Sequence, residues 1–245
     1  MIGIIGGTGL YALEGLVECA REQLDTPYGQ PSAPYVISEL AGQRIAFLAR
    51  HGEQHEFAPH TVNYRANIAG FQALGVTQIV AVNAVGGIGE HYGSGVIAAA
   101  HDIIDYTYGR EQSFFDGKAN PLKHIDFTYP FSDALRQELL AAARSVGLAI
   151  RDLAVLGCTQ GPRLETAAEV RKLKRDGCDV VGMTTMPEAA LARELDIDYA
   201  SLCLVVNPAA GEVEEIITME QIQAVIDQGM GDIKTLLRAF ILQRT

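Results

Sequence analysis

Four short stretches carry groups suited to holding an oxyanion. Gly6-Gly7-Thr8-Gly9 directly follows the apolar run Ile2-Gly3-Ile4-Ile5. Glycines let backbone N–H groups close on an anion, and the Thr8 hydroxyl adds a donor. Arg50-His51-Gly52 follows the run Ile45 to Leu48. That places a fixed charge with forked donors beyond the carboxyl end of a strand, where open α/β sheets bind ligands. Asn83-Ala84-Val85-Gly86-Gly87 follows the strand pattern Gln78 to Val82, and its small residues leave the Ala84 backbone free to face a ligand. Met183-Thr184-Thr185 leads into a helix pattern, so Thr184 stands at a positive helix end. Taken singly, each stretch has a simpler reading as a tight turn or a surface arginine. A parallel sheet gathers such turns along one edge, and their convergence predicts a phosphate site.

The first glycine turn also fits the loose dinucleotide pattern G-x-G-x-x-A over Gly7 to Ala12. The helix pattern behind it is poor. No acidic residue closes a strand about 20 residues later, where a ribose would need one.

The elements that position these groups follow from hydrophobic pattern. Strands are predicted at Ile2 to Ile5, Arg44 to Leu48, Gln78 to Val82, Leu153 to Leu156 and Tyr199 to Val206. Val62 to Leu74 is amphipathic and ends at Gly75, and Ser132 caps a helix that runs to Val146 before Gly147. Capping boxes are predicted at Thr166 with Glu169, Thr185 with Glu188 and Thr218 with Gln221, which gives Glu188 a structural role. The last helix spans Met219 to Leu242. Strands alternating with helices predict a single-domain α/β fold over residues 1–245, with a mixed, largely parallel sheet flanked by helices. The runs between Tyr35 and Leu48 suit an antiparallel or mixed addition. The one long irregular stretch, Tyr106 to Tyr129, is rich in aromatic and polar residues, as functional loops often are.

Composition excludes several classes. A net charge of -11 repels nucleic acid and anionic membranes. Hydrophobic content of 48 % suits a sizeable core and excludes a disordered chain. Cys19, Cys158, Cys178 and Cys203 form no CxxC pair and fit no zinc spacing, so buried thiols in a reducing cytosol are expected. Neither a signal peptide nor a membrane span is expected from the sequence.

Further stretches sharpen the reading. Together with Gly6-Gly7-Thr8-Gly9 and Arg50-His51-Gly52, the segments Val62-Asn63-Tyr64-Arg65-Ala66-Asn67, Gly161-Pro162-Arg163-Leu164-Glu165-Thr166 and Gly182-Met183-Thr184-Thr185-Met186-Pro187-Glu188 occur in order along nearly the whole chain. This set resembles the trimeric purine nucleoside phosphorylases, and within them the methylthioadenosine phosphorylase branch with its methylthioinosine-specific relatives. The resemblance implies a homotrimer with active sites near subunit interfaces, and neither a metal nor an organic cofactor. It implies that Thr8, Arg50, His51, Ala84 and Thr184 hold phosphate and that Met183 lies under the ribose. Glu165 and Asn207 then face the purine, and His124 reaches the 5′ end of a neighbour's substrate. His55 and His60 receive no firm role.

Adenine-cleaving members of that family carry two aspartates after the strand that here ends at Val206, and Ser where this chain has Glu165. This chain reads Asn207-Pro208-Ala209. Both departures point to a 6-oxopurine, and hence to phosphorolysis of S-methyl-5′-thioinosine. Val225, Ile226 and Met230 on the last helix are expected to line the methylthio pocket. Alternatives are a phosphorylase of inosine and guanosine, a methylthioadenosine phosphorylase, a nicotinamide-dependent oxidoreductase and an idle purine-binding protein. Arg50→Ala is expected to cost phosphate use with little change in stability.

Overall fold

Ile2-Gly3-Ile4-Ile5-Gly6 is buried at every position because it runs between two parallel neighbours. This strand, β1 (Ile2–Gly6), pairs with β4 (Gln43–Ala49) on one side and β5 (Gln78–Gly87) on the other. The computed structural model describes residues 1–7, 10, 13–117, 120–214 and 218–244. The expected Thr8 therefore lies outside the described residues.

The remaining strands are β2 (Val17–Glu22), β3 (Tyr35–Leu40), β6 (Ile97–Asp105), β7 (Ile150–Cys158), β8 (Val180–Gly182) and β9 (Asp198–Pro208). β3 and β4 form an antiparallel hairpin whose two-residue turn, Ala41-Gly42, has φ of 50° and 84°, the positive values a tight hairpin turn needs. β2 is an exposed, charged edge strand antiparallel to β3. β5 pairs with β9 in parallel and with β8 in antiparallel fashion. β9 pairs with β6, β6 with β7 and β7 with β8. These five strands thus close into a ring, from which β1, β4, β3 and β2 extend.

Successive β1 side chains point to opposite faces. Ile5 joins the apolar layer that includes Tyr64, Ile68 and Phe71 of α1 (Tyr64–Ala73) and Ala189 and Leu191 of α4 (Thr185–Glu194). Ile2 and Ile4 join the layer that includes Leu135 and Leu139 of α2 (Asp133–Ser145) and Ile233, Leu237 and Phe240 of α5 (Met219–Leu242). Val170 and Leu173 of α3 (Ala167–Asp176) pack in a smaller cluster with Val181 and Ala209.

Ser132 caps α2, and complete capping boxes begin α3 at Thr166 and α5 at Thr218, as the sequence predicts. The box at Thr185 does not form. Thr184 is the N-cap of α4 without a side-chain cap bond, Met186 departs from helical geometry, and the Glu188 carboxylate is drawn elsewhere. The turn expected at residues 83–87 is instead the continuation of β5, held by pairing with β9. Three strands were not predicted. β6 is rich in alanine, β8 has three residues, and β2 lacks a buried face, so none carries a strong strand pattern. Cys158, Cys178 and Cys203 are buried, but Cys19 is exposed because it lies on the edge strand β2. Among the described residues, no helix is long and apolar enough to cross a membrane.

Candidate active site

The carboxyl ends of β1, β4, β5 and β9 and the segment after β8 open onto one cavity of about 1290 Å³. Of the predicted site residues, Arg50, His51, Ala84, Glu165, Met183, Thr184 and Asn207 all line it, although they are scattered through the chain. His124 does not line the cavity and is exposed in the irregular segment. Ala84 is solvent-exposed between buried residues of β5, because the sheet's face there meets the cavity instead of a helix.

Arg50 is 2 % exposed and Glu188 is 0 % exposed. Arg50 Nε and Nη2 donate to the two Glu188 carboxylate oxygens at 2.8 Å each, and Nη1 donates to Val82 O at 3.1 Å. Tyr199 Oη donates to Glu188 Oε1 at 2.7 Å. Burial opposes the Arg50 charge, and the Glu188 carboxylate outweighs it, holding Arg50 above the ordinary arginine value. Burial, then Glu188, raises Tyr199 well above the usual tyrosine value. Two of the five guanidinium N–H donors are left for a ligand. This arrangement corrects two sequence expectations. Glu188 is the counterion of Arg50 and not a capping residue, and Arg50 contributes to stability as well as to the site.

Thr184 Oγ1 donates to Asn83 Oδ1 at 2.9 Å, and Asn83 Nδ2 donates to Ser201 Oγ at 2.9 Å. All three residues are buried, so Thr184 is fixed by a chain of side-chain hydrogen bonds and not by a helix cap. Glu165 Oε1 accepts from Thr159 Oγ1 at 2.5 Å, which ties the carboxylate to the end of β7. Asn207 Nδ2 donates to Pro208 O at 2.6 Å, leaving its second N–H and its amide oxygen for a ligand. Gly161, with φ of 60°, lets the loop carrying Glu165 close onto Met183, since a Cβ there would lie 2.6 Å from Met183 Sδ.

His51 Nδ1 lies 2.8 Å from Phe57 O. A carbonyl only accepts, so Nδ1 carries the proton and Nε2 presents a lone pair when the ring is neutral. Burial, then the neighbouring Arg50 charge, pushes His51 down to about 4. In the window from the ordinary histidine value down to about 4, the unfolded chain therefore binds the proton that the folded chain refuses. This contribution to stability is complete above that window and is lost as pH falls through it. Urea unfolding across that range is expected to show stability falling with pH for the protein and a shallower fall for His51→Gln. Equal slopes would contradict the assignment.

His55 also lines the cavity, with a strained φ of 59° and its ring 4.6 Å from that of His51. His60 is exposed and outside the lining. On α5, Ile222, Ile226 and Met230 line the cavity and Val225 does not. These three apolar residues recur every fourth position on one face, whereas each single step turns the helix by about 100°, and Gln223, Asp227 and Lys234 of the same helix line the cavity beside them. Burial pushes the Cys158 and Cys203 thiols up to about 12, leaving them protonated and without nucleophilic character. Sequence reasoning missed Asn83 as the support of Thr184 and Glu188 as the partner of Arg50. Neither has a local pattern that reveals its distant partner.

The family model described as the phosphorylase superfamily matches residues 1–242. A probable S-methyl-5′-thioinosine phosphorylase of Pseudomonas syringae pv. tomato is 53 % identical over 96 % of this chain and 95 % of its own length. The 6-oxopurine nucleoside phosphorylase of Pyrococcus furiosus is 40 % identical over 98 % of this chain and 91 % of its own. Among solved structures, a methylthioadenosine phosphorylase sourced from an antarctic soil metagenomic library superposes with a TM-score of 0.94 at 32 % identity, covering 99 % of this chain and 85 % of that one. The methylthioadenosine phosphorylase of Schistosoma mansoni in complex with adenine gives 0.93 at 29 % identity, covering 99 % and 91 %. With a family match over nearly its whole length and these relatives, the chain belongs to the phosphorylase superfamily.

Proposed function

We propose that this enzyme cleaves S-methyl-5′-thioinosine with inorganic phosphate, giving hypoxanthine and 5-methylthioribose 1-phosphate. The observation that carries this reading is the meeting of Glu165 and Asn207, which suit a 6-oxopurine, with Arg50, Ala84 and Thr184 in one cavity. In the reaction, a phosphate oxygen forms a bond to C1′ as the C1′–N9 bond breaks, and the bonding pair leaves with the purine. Ribose gains positive character that the adjacent phosphate stabilises, and the purine gains negative charge that hydrogen bonds at O6 and N7 stabilise. The reading uses no organic cofactor or metal.

Each residue's role follows from its free valences. The remaining Arg50 donors and the Ala84 and Thr184 main chains hold phosphate, with Thr8 completing the set; the Thr184 hydroxyl proton is already given to Asn83. His51 Nε2, a lone pair when the ring is neutral, accepts the hydrogen that hydrogen phosphate still carries. Met183 packs under the ribose. Glu165 accepts from N1–H, and the Asn207 amide donates to O6 while its oxygen accepts from protonated N7.

A homotrimer is part of the proposal. His124 sits outside its own cavity, and its segment exposes Tyr108, Leu122 and Tyr129 at 71 %, 66 % and 77 %. Apolar side chains so exposed on one segment suit burial against another subunit. Light scattering is expected to give three copies per particle, and a monomer would remove the role given to His124.

At the 5′ end, Ile222, Ile226 and Met230 provide an apolar wall for the methylthio group. Burying that group favours methylthioinosine over inosine by about 10–200-fold in kcat/KM. Equal kcat/KM for the two nucleosides would instead assign the protein to the inosine and guanosine phosphorylases.

A further inference from the structure

Arg110 lies in the long irregular segment after β6 and does not line the cavity, yet its side chain joins the two segments that do. Its Nη1 donates to Met183 O at 2.8 Å and also to Met186 O. Its Nη2 donates to Gln160 O at 2.8 Å and Thr159 O at 3.3 Å, and its Nε donates to Gln160 Oε1 at 3.2 Å. The guanidinium stands 5.5 Å from the Tyr64 ring centroid on α1. Its Nη1 also reaches Tyr64 Oη at 3.4 Å, so its five donors meet six uncharged oxygens. No carboxylate lies in ion-pair range of it among the described residues.

These contacts sit beside the chemistry. Thr159, whose carbonyl Arg110 holds, gives its hydroxyl to Glu165. Met183 and Met186, whose carbonyls it also holds, flank Thr184. The loop bearing Glu165 and the segment bearing Met183 and Thr184 also meet where Thr159 N donates to Gly182 O, where Gly161 closes onto Met183 and where Met186 N donates to Cys158 Sγ at 3.3 Å. Among the described residues, Arg110 alone holds two carbonyls on each side. A partly buried arginine with no counterion among the described residues is costly unless its donors are all met, and here they are met by four main-chain carbonyls of two functional segments, the Gln160 amide and the Tyr64 phenol.

We infer that Arg110 is a positioning residue. It clamps the purine-facing loop at 159–165 to the sugar- and phosphate-facing segment at 183–186, and so fixes the distance over which the glycosidic bond is cleaved. The inference rests on the functional reading above. A planar fork is required, because a lysine ammonium has the charge but only three donors on one nitrogen and cannot span both segments.

Arg110→Lys and Arg110→Ala are tested as purified full-length protein. A displacement of about 1 Å at a reacting centre costs about 10²-fold, and that loss in kcat/KM for methylthioinosine is expected for Arg110→Lys although its charge is kept. Guanidinium at non-denaturing concentration is expected to restore part of the activity of Arg110→Ala, with sodium chloride at equal ionic strength restoring none. Hydrogen exchange on substrate-free protein is expected to quicken at 159–165 and 183–186 in both variants and to stay unchanged in β1 and β4. Wild-type kcat/KM in Arg110→Lys, unchanged exchange in the two segments, or failure of both variants to fold would overturn the inference. If the unmutated protein shows no phosphate-dependent cleavage, the functional reading fails, and the exchange measurement still decides the clamp.

Discussion

Arg50→Ala is expected to abolish most phosphate-dependent turnover and to destabilise the fold by about 3–5 kcal/mol, since it strands a buried carboxylate. The guanidinium meets Glu188 through two hydrogen bonds with both side chains almost inaccessible, and Tyr199 adds a third donor to the same carboxylate. Loss of activity in this variant alone would not separate a missing phosphate contact from a damaged fold. Replacing the whole group does. Arg50→Met, Glu188→Leu and Tyr199→Phe together remove every charge and side-chain polar atom of the cluster, leaving only Val82 O without its Arg50 donor, and such apolar replacement of a buried pair is often neutral or stabilising. The triple variant is expected to recover stability in urea unfolding while its KM for phosphate stays far above that of the unmutated protein. A triple variant with normal phosphate kinetics would show that Arg50 serves the fold alone.

The second large effect is base selectivity. Hypoxanthine offers an N1–H donor and an O6 acceptor, whereas adenine offers an N1 acceptor and an N6–H₂ donor. A Glu165 carboxylate has only lone pairs, so it pairs with N1–H and is repelled by adenine N1. Its Oε1 is already anchored by the Thr159 hydroxyl, so it is not free to turn away. The Asn207 N–H left over from its bond to Pro208 O matches O6 and opposes N6–H₂, although an amide flip relieves the second conflict. A polar site facing the wrong pattern discriminates by about 10⁴-fold, and methylthioadenosine is expected to be poorer than methylthioinosine by that order. Glu165→Ser with Asn207→Asp is expected to recover part of the adenine activity, because aspartate accepts from both N6–H₂ and N7–H. Recovery stays partial, since Ala209 supplies no second carboxylate. Steady-state rates for both proteins on both nucleosides measure this. Comparable rates for the unmutated protein would contradict the roles of Glu165 and Asn207.

Much of this site was legible because strand ends and helix starts leave strong local marks. Arg50, Ala84 and Thr184 were read from their places after apolar runs or before a helix, and all three line the cavity, whereas Thr8, read in the same way, lies outside the described residues. Glu165 and Asn207 were assigned through the family resemblance, because a lone Glu in a loop and a lone Asn after a strand carry no chemistry by pattern. Glu188 was misread for a physical reason. A Thr followed three residues later by Glu looks like a local cap, but Arg50, 138 residues away in sequence, offers a buried charge that no cap can match. Arg110 escaped because its partners are four main-chain carbonyls, one amide and one distant phenol, which leave no trace in side-chain pattern. In the fold, β6 escaped because its run of alanines lacks the branched residues that mark strands, and it is held in place by β7 and β9.

The central claim is phosphate-dependent cleavage of a 6-oxopurine methylthio nucleoside. Its most direct test incubates the enzyme with methylthioinosine, inosine, guanosine and methylthioadenosine in turn, with and without inorganic phosphate, and quantifies free base and pentose 1-phosphate. The account predicts one hypoxanthine and one 5-methylthioribose 1-phosphate per phosphate consumed, fastest from methylthioinosine, with no base released when phosphate is withheld. Base release that continues without phosphate, or adenine released as readily as hypoxanthine, would contradict it.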